Sequence, residues 1–187
     1  IEHPIPQVIA FTGSSPTGKH ISEVAGRHLK KVVTELGGNS ALVVLDDADL
    51  EVAVNAAVFS RFTHSGQICM SANRVIVDEK VHDEFVKRYV EKVASLPIGD
   101  PSDPSVIVGP LINVQQATLL ESQIKEAVDH GAVAALAAKS RDEDSALCTP
   151  TVLTGVTVDN PVSQVELFGP AVSIMKCKDE TEAIEIA

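Results

Sequence analysis

The sequence has no tryptophan, one tyrosine and only five phenylalanines in 187 residues. With so few large rings, a core has to be assembled from Val, Ala, Leu and Ile, the mix expected of buried parallel strands and their covering helices. Basic residues are also few: 15 Lys and Arg stand against 26 Asp and Glu, a net charge of −11. A surface that acidic repels phosphate backbones, which excludes nucleic-acid binding by bulk electrostatics. No stretch approaches the roughly 20 apolar residues of a membrane span, and no charged segment followed by an apolar one opens the chain. Neither a membrane partner nor a secretory leader is therefore expected. The three cysteines, Cys69, Cys148 and Cys177, lie far apart, with no Cys-x-x-Cys and no Cys/His pair at zinc-finger spacing. Neither a disulfide framework nor a metal site is expected, and an odd number of thiols fits a reducing, cytoplasmic compartment.

What the sequence does contain is a globular balance of 44% hydrophobic and 22% charged residues, enough for a packed core. Its length suits one domain, or one with part of another. The chain opens on Ile1 without a methionine and stops at Ala187 inside a helical pattern, as though cut at both ends. Apolar runs at 8–12, 31–36 and 41–45 read as strands, the last nearly all apolar and so expected to be buried on both faces near a sheet centre. Further strands are expected at 75–77, 132–138, 151–153 and 172–175. Helical patterns fall between them, from residue 19 to about 29, at 50–62 after an Asp49 cap, at 81–95 and at 113–130. This alternation predicts an α/β fold, a three-layer α/β/α sandwich on a mostly parallel sheet.

Three clusters carry chemistry. In Ser65-Gly66-Gln67-Ile68-Cys69-Met70 a cysteine follows a helix among small and polar residues. A lone cysteine is more often a small buried hydrophobe than a nucleophile. A nucleophile needs amides or positive charge nearby, which a helical turn beginning at Cys69 would supply. Glu35-Leu36-Gly37-Gly38 puts a carboxylate at the end of a strand expected to be buried, at the sheet edge where α/β folds place functional groups; a solvated turn glutamate reads equally well. Phe11-Thr12-Gly13-Ser14, ahead of a helix, offers free amides and a helix dipole to an anion. It lacks the Gly-x-Gly-x-x-Gly fingerprint, and an ordinary strand-to-helix turn would look the same.

Taken with Glu166-Leu167-Phe168-Gly169-Pro170, the three clusters resemble the aldehyde dehydrogenase superfamily in order and spacing. Glu35 and Cys69 stand 34 positions apart, and Cys69 and Glu166 stand 97 apart. The resemblance covers essentially the whole chain. The tracts Glu35-Leu36-Gly37-Gly38-Asn39-Ser40-Ala41 and Gly66-Gln67-Ile68-Cys69-Met70-Ser71-Ala72-Asn73-Arg74 look most like bacterial benzaldehyde, salicylaldehyde and vanillin dehydrogenases, although many relatives carry Lys where this chain has Asn39.

The resemblance implies that Cys69 attacks an aldehyde as a thiolate, that hydride passes to NAD or NADP, and that Glu35 activates the water that hydrolyses the thioester. It assigns Gly13 and Ser14 to the pyrophosphate, the Leu36 carbonyl to the carboxamide, Glu166 to the nicotinamide ribose and Phe168 to packing beside it. It makes residues 1–36 the tail of a coenzyme domain and residues 37–187 a truncated catalytic domain. The implied parent is a homo-oligomer, a dimer or tetramer, acting on a small aldehyde. Two other readings stay open: an acylating, CoA-dependent relative, and a non-catalytic structural or interaction module.

The resemblance also puts the adenosine-contacting strands and the oxyanion asparagine before Ile1, so the isolated 187-residue chain is expected to be inactive and to bind dinucleotide poorly. Calorimetry should give a Kd for NAD and for NADP weaker than about 100 µM, or roughly 5.5 kcal/mol. Tighter binding of either would contradict this expectation.

Overall fold

The computed structural model describes all 187 residues and divides into two compact units, Ile1–Gly38 and Asn39–Ala187. The first unit is a strand-helix-strand: β1 (Val8–Thr12), α1 (Ser15–Arg27) and β2 (Lys31–Glu35). The two strands pair in parallel, from Val8 opposite Lys31 to Thr12 opposite Glu35. Pro16 sits in the first turn of α1, where a missing N–H costs nothing. The helix ends two residues short of the expected 29. The Lys30 and Leu29 amides turn back to the Ala25 and Gly26 carbonyls, and Leu29 takes a left-handed φ of 52°. This is a Schellman stop with leucine where glycine usually stands. β2 is not the buried strand expected from its apolar residues: Lys31, Val33 and Glu35 are exposed on one face.

The second unit runs β3 (Ala41–Val44), α2 (Leu50–Phe62), β4 (Arg74–Asp78), α3 (Glu79–Ala94), α4 (Val114–Asp129), β5 (Val133–Leu136), β6 (Thr151–Thr154), β7 (Ala171–Cys177) and α5 (Glu180–Ile186), with short 3₁₀ turns at Thr63–Gly66 and Pro161–Ser163. The sheet order is β3-β4-β7-β6-β5. All neighbours are parallel except β5 and β6. Asp49, Asp78, Asn113 and Asp179 cap four of the helices by accepting from first-turn amides, each worth about 1 kcal/mol.

Alternation along the central strands sorts the core into two layers. Val75, Val77, Val172 and Ile174 pack with Val54, Ala57, Val58 and Phe62 of α2 and with Phe85, Tyr89 and Val93 of α3. Ile76, Leu153, Met175 and Cys177 pack on the other side with Ala117, Leu120 and Ala127 of α4 and Ala183 of α5. The three-layer α/β/α sandwich expected from the alternation is therefore present. One element is displaced: the apolar strand β3 lies at the sheet edge, not near its centre, and Val43 is 41% exposed. A run of apolar residues reports low polarity but not how many neighbours the strand has. The most buried strands are β4 and β7, which begin with the polar Arg74 and contain Ser173. No helix is long and apolar enough to cross a membrane.

With rings so scarce, the Phe85–Tyr89 stack, at 5.5 Å between centroids, anchors the α2/α3 layer. Phe85→Ala should cost about 3–5 kcal/mol in urea unfolding, whereas Phe59→Ala, at a position 73% exposed, should stay within about 0.5 kcal/mol. Equal losses at the two sites would refute this layering.

Candidate active site

In the first unit the sheet delivers four of the expected site residues to one edge. β1 and β2 end side by side, and the Gly13 amide donates to the Glu35 carbonyl at 3.0 Å. Ser14 caps α1 in an extended conformation; its hydroxyl pairs with the Thr17 hydroxyl at 2.9 Å and with no backbone amide. The first turn of α1 has no acidic residue, unlike α2, α3 and α5. The turn thus keeps its amides and positive dipole end free of competing carboxylate. Leu36 folds its side chain onto α1 at Gly18, where an added Cβ would stand 2.5 Å from Leu36 Cδ2. That contact fixes the chain just after Glu35, whose side chain is exposed.

In the second unit, Cys69 sits at the tip of a loop pinned on several sides. After α2 the chain passes through three consecutive left-handed residues, His64, Ser65 and Gly66, with φ of 54°, 57° and 72°. Two of these carry side chains, and such a conformation costs about 1–2 kcal/mol per residue. Surrounding bonds offset the cost. The buried Ser65 hydroxyl both donates to the Gly109 carbonyl and accepts from the Gly109 amide, each at 3.0 Å. Gln67 Oε1 accepts from the Ile112 amide at 2.9 Å, and Ser60 Oγ accepts from the Ala72 amide at 3.1 Å. Between these anchors Cys69 and Met70 are exposed.

No helix begins at Cys69. A single turn closes from the Ser71 amide to the Ile68 carbonyl at 3.0 Å. Extension into a helix is blocked because the Asn73 and Arg74 amides already donate to the Ser40 carbonyl, at the start of the β3–β4 pairing.

The loop bearing Glu166 and Phe168 is seated directly against this one. A Cβ added at Gly66 would meet the Gly169 carbonyl oxygen at 2.3 Å, so only glycine lets the two backbones approach this closely. Asn73 Oδ1 accepts from the Leu167 amide at 2.9 Å. From α4, the Gln123 and Gln116 side chains donate to the Glu166 and Phe168 carbonyls, each at 3.3 Å. The Glu166 and Phe168 side chains are both half-buried.

At the centre lies a residue the motifs do not contain. Arg61, fully buried at the end of α2, donates from Nη1 to Ser71 Oγ at 2.7 Å and to Asn73 Oδ1 at 3.0 Å, and from Nη2 to the Leu167 and Gly169 carbonyls. Burial pushes the guanidinium down to about 10, opposed by Tyr89 and the Glu166 carboxylate. It therefore stays charged at neutral pH. The only signal for it in the sequence is an arginine among the apolar residues of a helix, which reads as a solvated charge. No group of three or more His, Cys, Asp or Glu side chains is placed to hold a metal ion.

These features fit a family. The chain matches the aldehyde dehydrogenase family over residues 1–187 and belongs to it. It is 50% identical over 187 residues to benzaldehyde dehydrogenase YfmT of Bacillus subtilis, covering all of this chain and 38% of that protein. It is 44% identical over 189 residues to a vanillin dehydrogenase of Corynebacterium glutamicum, covering 100% of this chain and 38% of the relative. Among solved structures, a salicylaldehyde dehydrogenase of Pseudomonas putida complexed with salicylaldehyde superposes with a TM-score of 0.91 at 43% identity, covering 97% of this chain and 37% of the other. The chain thus spans less than two fifths of the length of these curated relatives.

All three thiols are free, but only Cys69 is exposed. Burial holds the Cys177 thiol above its usual range and pushes Cys148 up to about 11. At about pH 8 only on the order of one Cys148 in a thousand is then a thiolate, the reactive form. Iodoacetamide followed by peptide mapping should modify Cys69 first, and Cys148 and Cys177 only on unfolding. Early labelling of Cys148 would contradict the placement.

Proposed function

We propose that the chain is the catalytic region of an NAD(P)-dependent aldehyde dehydrogenase that oxidises a benzaldehyde-like aromatic aldehyde to its carboxylic acid. Cys69 is the nucleophile and Glu35 the general base. Residues 1–36 form the tail of the coenzyme domain and residues 37–187 most of the catalytic domain. The observation that carries this reading is the setting of Cys69, the one exposed thiol, on a rigidly pinned loop against the loop of Glu166 and Phe168. The aromatic substrate class is supported by the relatives, whose names specify benzaldehyde, vanillin and salicylaldehyde.

The residues present suit a dinucleotide. Gly13 and Ser14 offer a pyrophosphate the acid-free N-terminal turn of a 13-residue helix. The Leu36 carbonyl is assigned to the carboxamide, Glu166 to the nicotinamide ribose and Phe168 to packing beside it. When bound, the coenzyme supplies the hydride acceptor.

The chain's own groups do the rest. Cys69 Sγ, as thiolate, forms a bond to the aldehyde carbon while the carbonyl electron pair moves to oxygen, giving a tetrahedral thiohemiacetal. Its oxyanion needs fixed donors, and the Cys69 backbone amide, in the turn that Ser71 closes, would be one. Loss of hydride restores the carbonyl as a thioester on Cys69. The Glu35 carboxylate then takes a proton from water, the hydroxide attacks the thioester carbon, and the thiolate leaves as the acid forms. The exposed position of Glu35 keeps it open to that water.

In the full-length enzyme, Cys69→Ser should abolish aldehyde oxidation, with Cys148→Ala and Cys177→Ala close to wild type. Glu35→Gln should lower kcat by about 10²–10⁴, yet keep a burst of reduced coenzyme in rapid mixing, because the thioester still forms once per site. A Glu35→Gln enzyme turning over at wild-type speed would remove Glu35 from the mechanism. Acyl-CoA as the product would move the reading to the acylating relatives.

A further inference from the structure

Arg61 is a charged side chain with no exposed surface. Burying an ion is costly even with a carboxylate such as Glu166 near it, and an apolar side chain of similar volume often serves stability as well or better. The bonds it makes show what an apolar residue could not do. Of the five N–H donors of a guanidinium, four are used, and their acceptors are divided between two loops. Ser71 Oγ and Asn73 Oδ1 flank the Cys69 turn, whereas the Leu167 and Gly169 carbonyls bracket Phe168 and follow Glu166. The Ser71 bond reaches the residue whose amide closes the turn over Cys69. Asn73 doubles the link, accepting from Arg61 and from the Leu167 amide through one oxygen. The two loops are about a hundred residues apart in the chain, and the planar fork fixes both distance and angle between them, which a single-point ammonium does less well.

We propose that Arg61 is a positioning residue that holds the Cys69 turn in register with the Glu166–Phe168 loop, so that hydride transfer depends on it although it touches neither substrate nor coenzyme. Ser71 is its link to the cysteine side, and the Leu167 and Gly169 carbonyls are its link to the coenzyme side. The inference rests on the reading of Cys69 as nucleophile and Glu166 as a coenzyme contact. It adds that their mutual placement is set from beneath, by one guanidinium.

The test uses the full-length enzyme with NAD or NADP and benzaldehyde, and compares Arg61→Lys, Ser71→Ala, Ser71→Thr and Cys69→Ala. A small misplacement of reacting groups costs between about tenfold and a hundredfold in rate. Arg61→Lys should therefore slow the coenzyme-reduction burst at least about tenfold and raise the coenzyme KM, with Cys69 alkylation by iodoacetamide within about twofold of wild type. Ser71→Ala cuts only the cysteine-side link. It should slow the burst about threefold and leave coenzyme KM unchanged, and Ser71→Thr should restore the rate. A wild-type burst rate in Arg61→Lys overturns the proposal, and so does one in Ser71→Ala should Arg61→Lys fail to fold. A loss of Cys69 alkylation parallel to the loss of burst also overturns it, because Arg61 would then merely support the turn. Cys69→Ala keeps the two claims apart. A residual burst in that variant removes the nucleophile assignment itself, whereas a silent Cys69→Ala beside wild-type Arg61→Lys and Ser71→Ala refutes the positioning role alone.

Discussion

A buried guanidinium has to find its acceptors inside the protein, and in the second unit Arg61 directs four of its five donors to acceptors from two loops that no regular element joins. The Cys69 turn and the Glu166–Phe168 loop therefore cannot move independently without stranding a charge at the end of α2. The close approach of Gly66 to the Gly169 carbonyl follows from the same constraint. It permits the two backbones to lie in contact, and the arginine keeps them there. The fold arranges the rest. β4 and β7, the strands that follow the two loops, pair in parallel with Arg74 opposite Ser173, so both loops emerge at the same end of the sheet.

Strain and exposure have a common origin in this arrangement. Three successive left-handed residues reverse the chain between α2 and the cysteine, and bonds to Gly109, Ile112 and Ser60 hold the reversal in place. Residues in costly backbone conformations persist only where their surroundings over-determine them. The outcome is a thiol raised to the surface on a short, fixed tip, while Cys148 and Cys177 are buried and held protonated. The first unit uses a simpler device. Parallel register brings Gly13 and Ser14 to the same edge as Glu35, and Leu36 seated over Gly18 fixes the strand end.

Much of this was legible from residue types alone. Strands and helices alternate with the periodicities that define the three-layer sandwich, and Asp49 marks its helix start by the cap it forms. The motifs around Gly13, Glu35, Cys69 and Glu166 were ambiguous one by one and took their meaning from the resemblance that their order and spacing carry. Three features were hidden, each for a physical reason. The apolar run in β3 looked central, but hydropathy carries no count of neighbouring strands, and β3 lies at the edge. Cys69-Met70-Ser71-Ala72 is compatible with a helical turn, and what forbids it is a long-range bond to the Ser40 carbonyl. Arg61 was invisible as a functional residue because its meaning lies in carbonyls more than a hundred positions away.

In the proposed reaction one cysteine of three carries the acyl group. Acid quenching of the full-length enzyme during turnover with NAD(P) and benzaldehyde, followed by peptide mass spectrometry, tests it most directly. A benzoyl thioester is expected on the peptide containing Cys69, accumulating further in the Glu35→Gln variant. A benzoyl group on Cys148 or Cys177, or turnover with no acyl-cysteine in either enzyme, would contradict it.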